Sequence, residues 1–90
     1  MVQRYEVVFE NGPRNWSAYS PDVPGCVVTG KTLNETRRTM RGALEAHLRW
    51  LHQDHEPIPV PRTQPEAISG LAPADVAEWL EVEVPAPAVV

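Results

Sequence analysis

The sequence predicts an α+β fold, in the order β-β-β-α-β, with one long helix packed on one face of a small antiparallel sheet. Three observations indicate this fold. Segments with a two-residue apolar period stand at both ends of the chain, and a capped stretch of about twenty residues with a helical period lies between them. The length of 90 residues fits a single domain.

The first two strands are predicted at residues 5–10 and 15–19, which are rich in aromatic and β-branched residues. In the first of them the apolar residues alternate with Glu6 and Glu10, so we expect one face to be buried and these two carboxylates to point outward. Residues 11–12 are Asn-Gly, a pair typical of a tight hairpin because both residues tolerate positive φ.

A proline-rich segment separates the second strand from a third strand, which is predicted at residues 26–29. Prolines cannot donate to a ladder and glycine permits a sharp bend, so the segment is interpreted as a rigid turn. In this interpretation Asp22 accepts hydrogen bonds from nearby backbone N–H groups. A catalytic Asp22 would need a partner base or a metal, and no paired carboxylate stands nearby. The residues of this structural motif are Pro21, Asp22, Pro24 and Gly25.

The long helix is the best-defined element. Thr32 and Glu35 fit a capping box, with Thr32 as the N-cap and Glu35 reaching back, and the helix is predicted to run to about His52. At about 100° per residue, four apolar residues form the line that should face the sheet. They are Leu33, Met40, Leu44 and Leu51. The opposite side is charged, and Arg41, Glu45 and Arg49 have the spacing of helical ion pairs.

The last third of the chain is predicted to return across the molecule. Alternate prolines at residues 56–61 favour a stiff, extended strap, because a residue before proline is excluded from the helical region. We expect a connector at residues 57–72, a short helix at 73–78 and a terminal strand at 79–85. In that strand the exposed side is acidic, with Glu81 and Glu83. The strand could join the sheet or pair with another chain.

Charge and cysteine usage narrow the class of protein. The net charge of −4 disfavours a domain that coats phosphates and suits a basic partner. The single cysteine, Cys26, is predicted to be a buried structural residue, and no disulfide is expected. The start of the chain lacks an apolar leader and no segment has the length of a membrane span, so a cytoplasmic protein is expected.

No cofactor, metal or catalytic site is predicted. A zinc ion needs three or four ligands, and the pair His52 and His55 offers two. His47 lies near the apolar line and is interpreted as a packed helix residue. The helix arginines are interpreted as a solvated face, which makes direct nucleic-acid binding an unfavoured alternative. These are Arg37, Arg38, Arg41 and Arg49.

Five segments, in order and at matching spacing, carry a resemblance to a known family. They are PDVPGC at residues 21–26, TGKTLNE at 29–35, ALEAHL at 43–48, EPIPVP at 56–61 and VEV at 82–84. In these segments the chain resembles the HicB-like antitoxins of bacterial type II toxin–antitoxin systems. The resemblance covers about residues 4–61 and the last strand.

The resemblance implies a single HicB-like domain over residues 1–90, with a core at 3–61 and a fold that partly resembles RNase H. It further implies a protein that is not an enzyme and that binds a small basic HicA-type toxin, which cleaves messenger RNA, so that RNA is kept out. Many members carry an additional DNA-binding segment, but residues 62–90 are too proline-rich and acidic for one, so no separate DNA-binding domain is expected. His55 stands where the family commonly has glycine.

The contacts to a partner are assigned to the outward carboxylates and one aromatic residue. They are Glu6, Glu10, Glu81, Glu83 and Trp50. Trp50 lies about 100° from the apolar line, so it is predicted to pack under the proline strap or in a subunit contact. The thin core, the spare edge strand and Trp50 together predict at least a homodimer.

Two other functions stay open. One is an orphan protein-binding or scaffold module that has the fold but no toxin. The other is a metal-dependent hydrolase or nuclease, because RNase H-type folds are often catalytic. Such enzymes cluster carboxylates around magnesium, whereas the acidic residues of this chain are scattered over strands and turns.

Overall fold

The computed structural model describes residues 1–64, 68 and 70–85. Its elements are β1 (Val2–Asn11), β2 (Trp16–Ser20), β3 (Val23–Gly30), α1 (Leu33–Gln53) and β4 (Val76–Glu83). The predicted fold class and order of elements are confirmed.

The four strands form one antiparallel sheet in the order β3-β2-β1-β4. The last strand lies beside the first and pairs with it from Val2 opposite Glu83 to Phe9 opposite Val76. β1 and β2 are therefore central, whereas β3 and β4 form the two edges. Of the two alternatives for the terminal strand, the structure shows the one in which it joins its own sheet.

The core lies between α1 and one face of the sheet. Met40, Leu44 and Leu48 of the helix are fully buried there, and Leu33 and Leu51 pack against the same cluster at its ends. The sheet contributes the alternate side chains of the strands, including Tyr5, Val7, Phe9, Ala18, Leu80 and Val82. Burying each large apolar side chain contributes about 1.5–3 kcal/mol, so this contact is the main source of stability.

The start of α1 is held close to the end of β3. Thr32 is the N-cap, and its Oγ1 accepts a hydrogen bond from the Glu35 amide at 3.1 Å. One turn on, the buried Thr36 donates through its Oγ1 to the Thr32 carbonyl at 2.7 Å. Thr36 lies directly against Gly30, so that a Cβ on Gly30 would overlap Thr36 Oγ1 and lie 3.1 Å from its backbone. Only a glycine allows the strand and the helix to approach this closely.

Gly30→Ala is expected to lower the free energy of unfolding by about 2 kcal/mol or more, because the neighbouring atoms include backbone that cannot move aside. Gly42→Ala is the matched control. An added Cβ at Gly42 meets nothing within 4 Å, and alanine is favoured over glycine in a helix by about 0.5–1 kcal/mol. Urea unfolding should therefore shift in opposite directions for the two variants. Equal shifts would show that the close approach is unimportant.

α1 ends in a Schellman motif. Asp54 is the C-cap, the His55 amide donates to the His52 carbonyl at 3.2 Å, and the Glu56 amide donates to the Leu51 carbonyl at 2.8 Å. The motif requires a left-handed residue after the cap, and His55 has φ of +57°. The family's usual glycine at this position is thus explained by backbone conformation.

His55→Gly is expected to raise the free energy of unfolding by about 0.5–1 kcal/mol. The gain is the steric cost of a side chain in the left-handed region, less the larger entropy of glycine in the unfolded chain. Thermal and urea unfolding measure the change. A loss of stability would mean that contacts of the imidazole outweigh this backbone cost.

The turn before β3 is shorter than predicted. The strand begins at Val23 rather than at residue 26, so that Pro24 and Gly25 lie inside it. The strand register explains how β3 accommodates these two residues. Tyr19 pairs with Val27 while Ser20 pairs with Val23, which leaves a bulge on β3. An edge strand tolerates a bulge and a missing N–H, and Gly25 supplies the required φ of +87°.

Two other local predictions are wrong. β1 and β2 are joined by a four-residue loop at residues 12–15, closed by the Gly12 amide on the Asn15 carbonyl at 2.9 Å, and neither Asn11 nor Gly12 has the positive φ of a tight Asn-Gly hairpin. The predicted helix at residues 73–78 is absent from the described chain, where β4 already begins at Val76. Pairing with β1 overrides the weak helical preference of that segment.

Candidate protein-binding surfaces

The predicted partner-binding glutamates all lie on the face of the sheet opposite α1, but the structure does not bring them together. Cross-strand pairing sets Glu6 opposite Trp79 and Glu81 opposite Arg4 on this face. Glu6 is fully buried on its central strand, so its prediction as an outward contact is wrong. Residues 5–9 are buried on both faces of β1, which is typical of a central strand covered on two sides.

Glu10 is exposed but distant from the two remaining glutamates. It pairs with Ser17, whereas Glu83 pairs with Val2. At about 3.4 Å per residue, the eight-residue separation along β1 is roughly 27 Å. Glu10 therefore cannot share a small contact surface with Glu81 and Glu83.

Glu81 and Glu83 are both exposed and form part of a mixed surface at one end of the β1–β4 ladder. We call it the β1–β4 patch, and it consists of Val2, Arg4, Trp79, Glu81 and Glu83. Val2 is 55 % and Trp79 37 % exposed, and the Arg4 guanidinium lies 5.5 Å from the Trp79 ring centre. The patch thus combines apolar area with two carboxylates, one of which, Glu83, accepts a hydrogen bond from the Met1 amino group at 3.1 Å.

Trp50 lies on α1, on the other side of the sheet, and cannot act together with these glutamates. It is 65 % exposed, so the predicted packing under the proline strap is wrong. Trp50 instead borders a shallow groove between the helix and the β3 edge. The other residues of this groove are Gly25, Cys26, Val27, Ala43, Ala46 and His47.

The proline strap is held to the sheet by two hydrogen-bonded contacts. Tyr5 is fully buried, and its hydroxyl donates a hydrogen bond to the Pro59 carbonyl at 2.6 Å. Asp22 accepts from the amides of Arg62 and Thr63 at 2.9 and 2.8 Å and from the Thr63 hydroxyl at 2.8 Å. The prediction that Asp22 bonds neighbouring backbone groups is therefore wrong. It bonds backbone about forty residues away, because its side chain points out of the turn toward the returning chain.

The surroundings of Asp22 and Tyr5 shift the pKa values of both side chains. Burial alone would raise the pKa of Asp22, but the hydrogen bonds from Thr63 and Arg62 outweigh it and hold that pKa below its ordinary value of 3.8. Burial raises the pKa of Tyr5, and the charge of Asp22 adds to this effect. Around neutral pH the strap is thus held by a charged acceptor and a neutral donor.

Asp22→Asn is expected to lower the free energy of unfolding by about 1 kcal/mol at pH 7, since the amide loses the charge and an acceptor. The pKa of Asp22 is lower in the folded chain than in the unfolded one. Its contribution is therefore complete above the ordinary carboxyl pKa and is lost as the pH falls through the folded value. Urea unfolding at pH 7 and pH 3 should show the two proteins converging in acid. Glu10→Gln, at an exposed carboxylate of β1 outside the strap contacts, is the control and should change stability little. A constant difference between Asp22→Asn and wild type would contradict this linkage.

The outer edge of β4 is covered by side chains from α1. Arg41 Nε donates to the Glu81 carbonyl at 3.0 Å, and the Glu83 amide donates to Glu45 Oε2 at 2.8 Å. Glu81 and Glu83 are two residues apart, so these are the outward backbone groups that a further strand would use. The predicted ion pairing along the helix is wrong for this reason, because Arg41 and Glu45 turn to the strand instead.

Arg37 extends the same contact along β4. Its Nε lies 2.5 Å from Glu78 Oε1, and its guanidinium also lies over the Phe9 ring at 5.8 Å. The hydrogen bond to Glu78 raises the pKa of Arg37 above its ordinary value. The four-residue spacing of residues 37, 41 and 45 was visible in the sequence, but their partners on β4 were not.

A second concave region lies beside the strap. It has a volume of about 610 Å³ and is bordered by Tyr5, by the prolines of the strap and by His52 and His55. In residues 1–64, 68 and 70–85, no three His, Cys, Asp or Glu side chains come together as a metal site would require.

Cys26 is buried as predicted, and burial raises the pKa of its thiol. Within the same ranges, no helical segment has the length and apolar character of a membrane span.

A single amphipathic helix lies on a β3-β2-β1-β4 sheet, and a strap returns the chain so that the last strand pairs beside the first, which defines a small α+β domain. The family model for the HicB-like antitoxin of bacterial toxin–antitoxin systems matches residues 5–85. The chain belongs to the HicB-like antitoxin family.

Individual relatives agree with this assignment. The chain is 32 % identical over 74 residues to antitoxin HicB 2 of Photorhabdus laumondii subsp. laumondii, a match that covers 82 % of this chain and 52 % of the relative. The chain thus spans about half the length of the curated relative it matches.

Solved structures share the fold. The crystal structure of antitoxin HicB3 has a TM-score of 0.69 at 22 % identity, over 92 % of this chain and 62 % of that one. A chain of the HicA3 and HicB3 toxin–antitoxin complex and the N-terminal domain of Burkholderia pseudomallei antitoxin HicB each give 0.68 at 21 % identity, over 93 % of this chain and all of theirs.

Proposed function

We propose that this protein is an antitoxin that binds a small basic toxin of the HicA type, which cleaves messenger RNA, and inhibits it by occlusion. Membership of the HicB-like antitoxin family is the observation that carries the proposal. A structural relative of the same fold comes from a complex of HicA3 with HicB3. We further propose that the protein is cytoplasmic and has no catalytic activity of its own.

The β1–β4 patch is the surface we assign to the toxin. It offers two exposed carboxylates, Glu81 and Glu83, within reach of the exposed Trp79 and Val2. A basic protein would be attracted by the carboxylates, and the aromatic ring would supply the desolvated contact that most binding energy requires. The overall charge of −4 acts in the same direction at longer range.

The backbone under the patch is well fixed, which reduces the entropy cost of binding. The Arg41 and Glu45 side chains hold the backbone of Glu81 and Glu83 from the outer side, and pairing with β1 holds it from the inner side. The two carboxylates are therefore presented from a rigid strand rather than from a loop.

The function is tested with the small basic protein encoded beside this chain. Titration calorimetry should show binding, and addition of this chain should suppress cleavage of messenger RNA by that protein. The absence of binding at low salt would refute the antitoxin function and would favour the orphan module instead.

The double variant Glu81→Lys/Glu83→Lys should slow association with the toxin by about tenfold and weaken its dependence on salt, because steering by opposite charge acts mainly on the association rate. Stopped-flow fluorescence measures both effects. Glu10→Lys/Glu56→Lys is the matched control, since it changes the net charge equally at two exposed carboxylates outside the patch. If the two pairs of substitutions had equal effects, the assignment of the toxin to the β1–β4 patch would be wrong. The proposed antitoxin function would still stand.

A further inference from the structure

β4 forms one edge of the sheet, so its outward backbone groups are the place where a further strand would add. Hydrogen bonding to β1 shows which residues point outward. The Val84 amide donates to the Met1 carbonyl at 2.8 Å, so the residues that alternate with Val84 turn their amides and carbonyls away from β1. Glu81 and Glu83 belong to this outward set. The Glu81 carbonyl and the Glu83 amide are thus an acceptor and a donor that a neighbouring strand would use together.

Two side chains of α1 occupy this acceptor and this donor. Arg41 Nε donates to the Glu81 carbonyl at 3.0 Å, and Glu45 Oε2 accepts from the Glu83 amide at 2.8 Å. The spacings of the two elements agree, because four residues of a helix rise about 6 Å and two residues of a strand rise about 6.8 Å. The helix therefore presents a donor and an acceptor in the order and at the spacing of an added strand.

The composition of β4 indicates what this edge would attract if it were uncovered. Its sequence, VAEWLEVE, contains three carboxylates and no basic side chain. Carboxylates that face each other across two strands repel, so a second β4 edge is a poor partner. An extended basic segment would instead gain contacts between opposite charges. The valine, leucine and tryptophan residues of β4 also favour pairing with an extended chain.

From this geometry we propose that Arg41 and Glu45 are edge guards, which occupy the backbone groups of β4 in place of a strand and so exclude extended basic segments of other polypeptides. An acidic surface beside an open edge would bind such segments through main-chain pairing, with little regard to their sequence. With the edge closed, a basic partner meets β4 through the side chains on its face. The inference concerns the edge alone and holds whether or not the β1–β4 patch binds a toxin.

The probe is a fluorescein-labelled peptide of the length of β4 with alternating lysine and valine, and fluorescence anisotropy measures its binding to the full chain. Arg41→Ala/Glu45→Ala should bind the peptide about tenfold more tightly than the wild type, since two hydrogen bonds no longer have to be broken. Arg38→Ala/Glu56→Ala is the matched control, because it removes the same two charges at exposed positions, and it should bind as the wild type does. Far-UV circular dichroism should show that both variants fold, since none of the four residues belongs to the core.

Two further variants separate the hydrogen bonds of the edge guards from their charge. Arg41→Glu/Glu45→Arg keeps the composition and the net charge, but sets an acceptor against the carbonyl and a donor against the amide, so it should also bind the peptide. Glu45→Gln keeps an acceptor, so the Glu83 amide should exchange with solvent as slowly as in the wild type. Glu45→Ala should accelerate that exchange, which is followed by NMR.

The variant Glu83→Pro, added to Arg41→Ala/Glu45→Ala, locates the bound peptide. Proline removes an amide that β1 does not use, so the sheet should persist while pairing at the edge is lost. Glu83→Ala in the same background removes the same carboxylate but keeps the amide, and it should still bind the peptide.

Three results would overturn the proposal. The wild type could bind the peptide as tightly as Arg41→Ala/Glu45→Ala, or Arg41→Glu/Glu45→Arg could bind no more tightly than the wild type. In the third, the peptide would stay bound after Glu83→Pro, which would place it on the face of the sheet rather than at its edge.

Discussion

The structure depends on the contact between one helix and one face of a four-stranded sheet. Met40, Leu44 and Leu48 supply that contact, and in a domain of this size no second core can replace it. The helix is also fixed at both ends, by the close approach of Thr36 to Gly30 and by the Schellman motif around His55. With its axis and rotation set, its two flanks project to defined places. One flank covers the β4 edge with polar side chains, and the other exposes Trp50 beside β3.

Much of the fold was predictable, because the helix and the central strands follow simple periodicities. The cap at Thr32 and the buried positions of Met40 and Leu44 are local consequences of sequence, and the structure confirms them. The errors arise where a distant segment decides the outcome. Asp22 was interpreted through its neighbours, whereas its partners are Arg62 and Thr63. Local propensity likewise could not show that pairing with β1 would extend β4 back to Val76.

The candidate surfaces were predicted less well than the fold, for the same reason. Alternation placed Glu6 outward, but a central strand can be buried on both faces, and its position in the sheet is a tertiary property. Conversely, the exposure of Trp50 follows from its angle on the helix, yet its neighbours in the groove come from β3. The family resemblance correctly indicated the class of protein, whereas which residues share a surface required the strand register.

The pairing of the first strand with the last has a consequence for how the molecule is made. Contacts between residues 2–9 and 76–83 have a very large sequence separation, and closing so long a loop slows folding. During translation β1 emerges early, but one of its sides stays unpaired until β4 has left the ribosome. The four-stranded sheet can therefore be complete only after residue 83 has left the ribosome, so the delay between translation and the folded domain is fixed by topology.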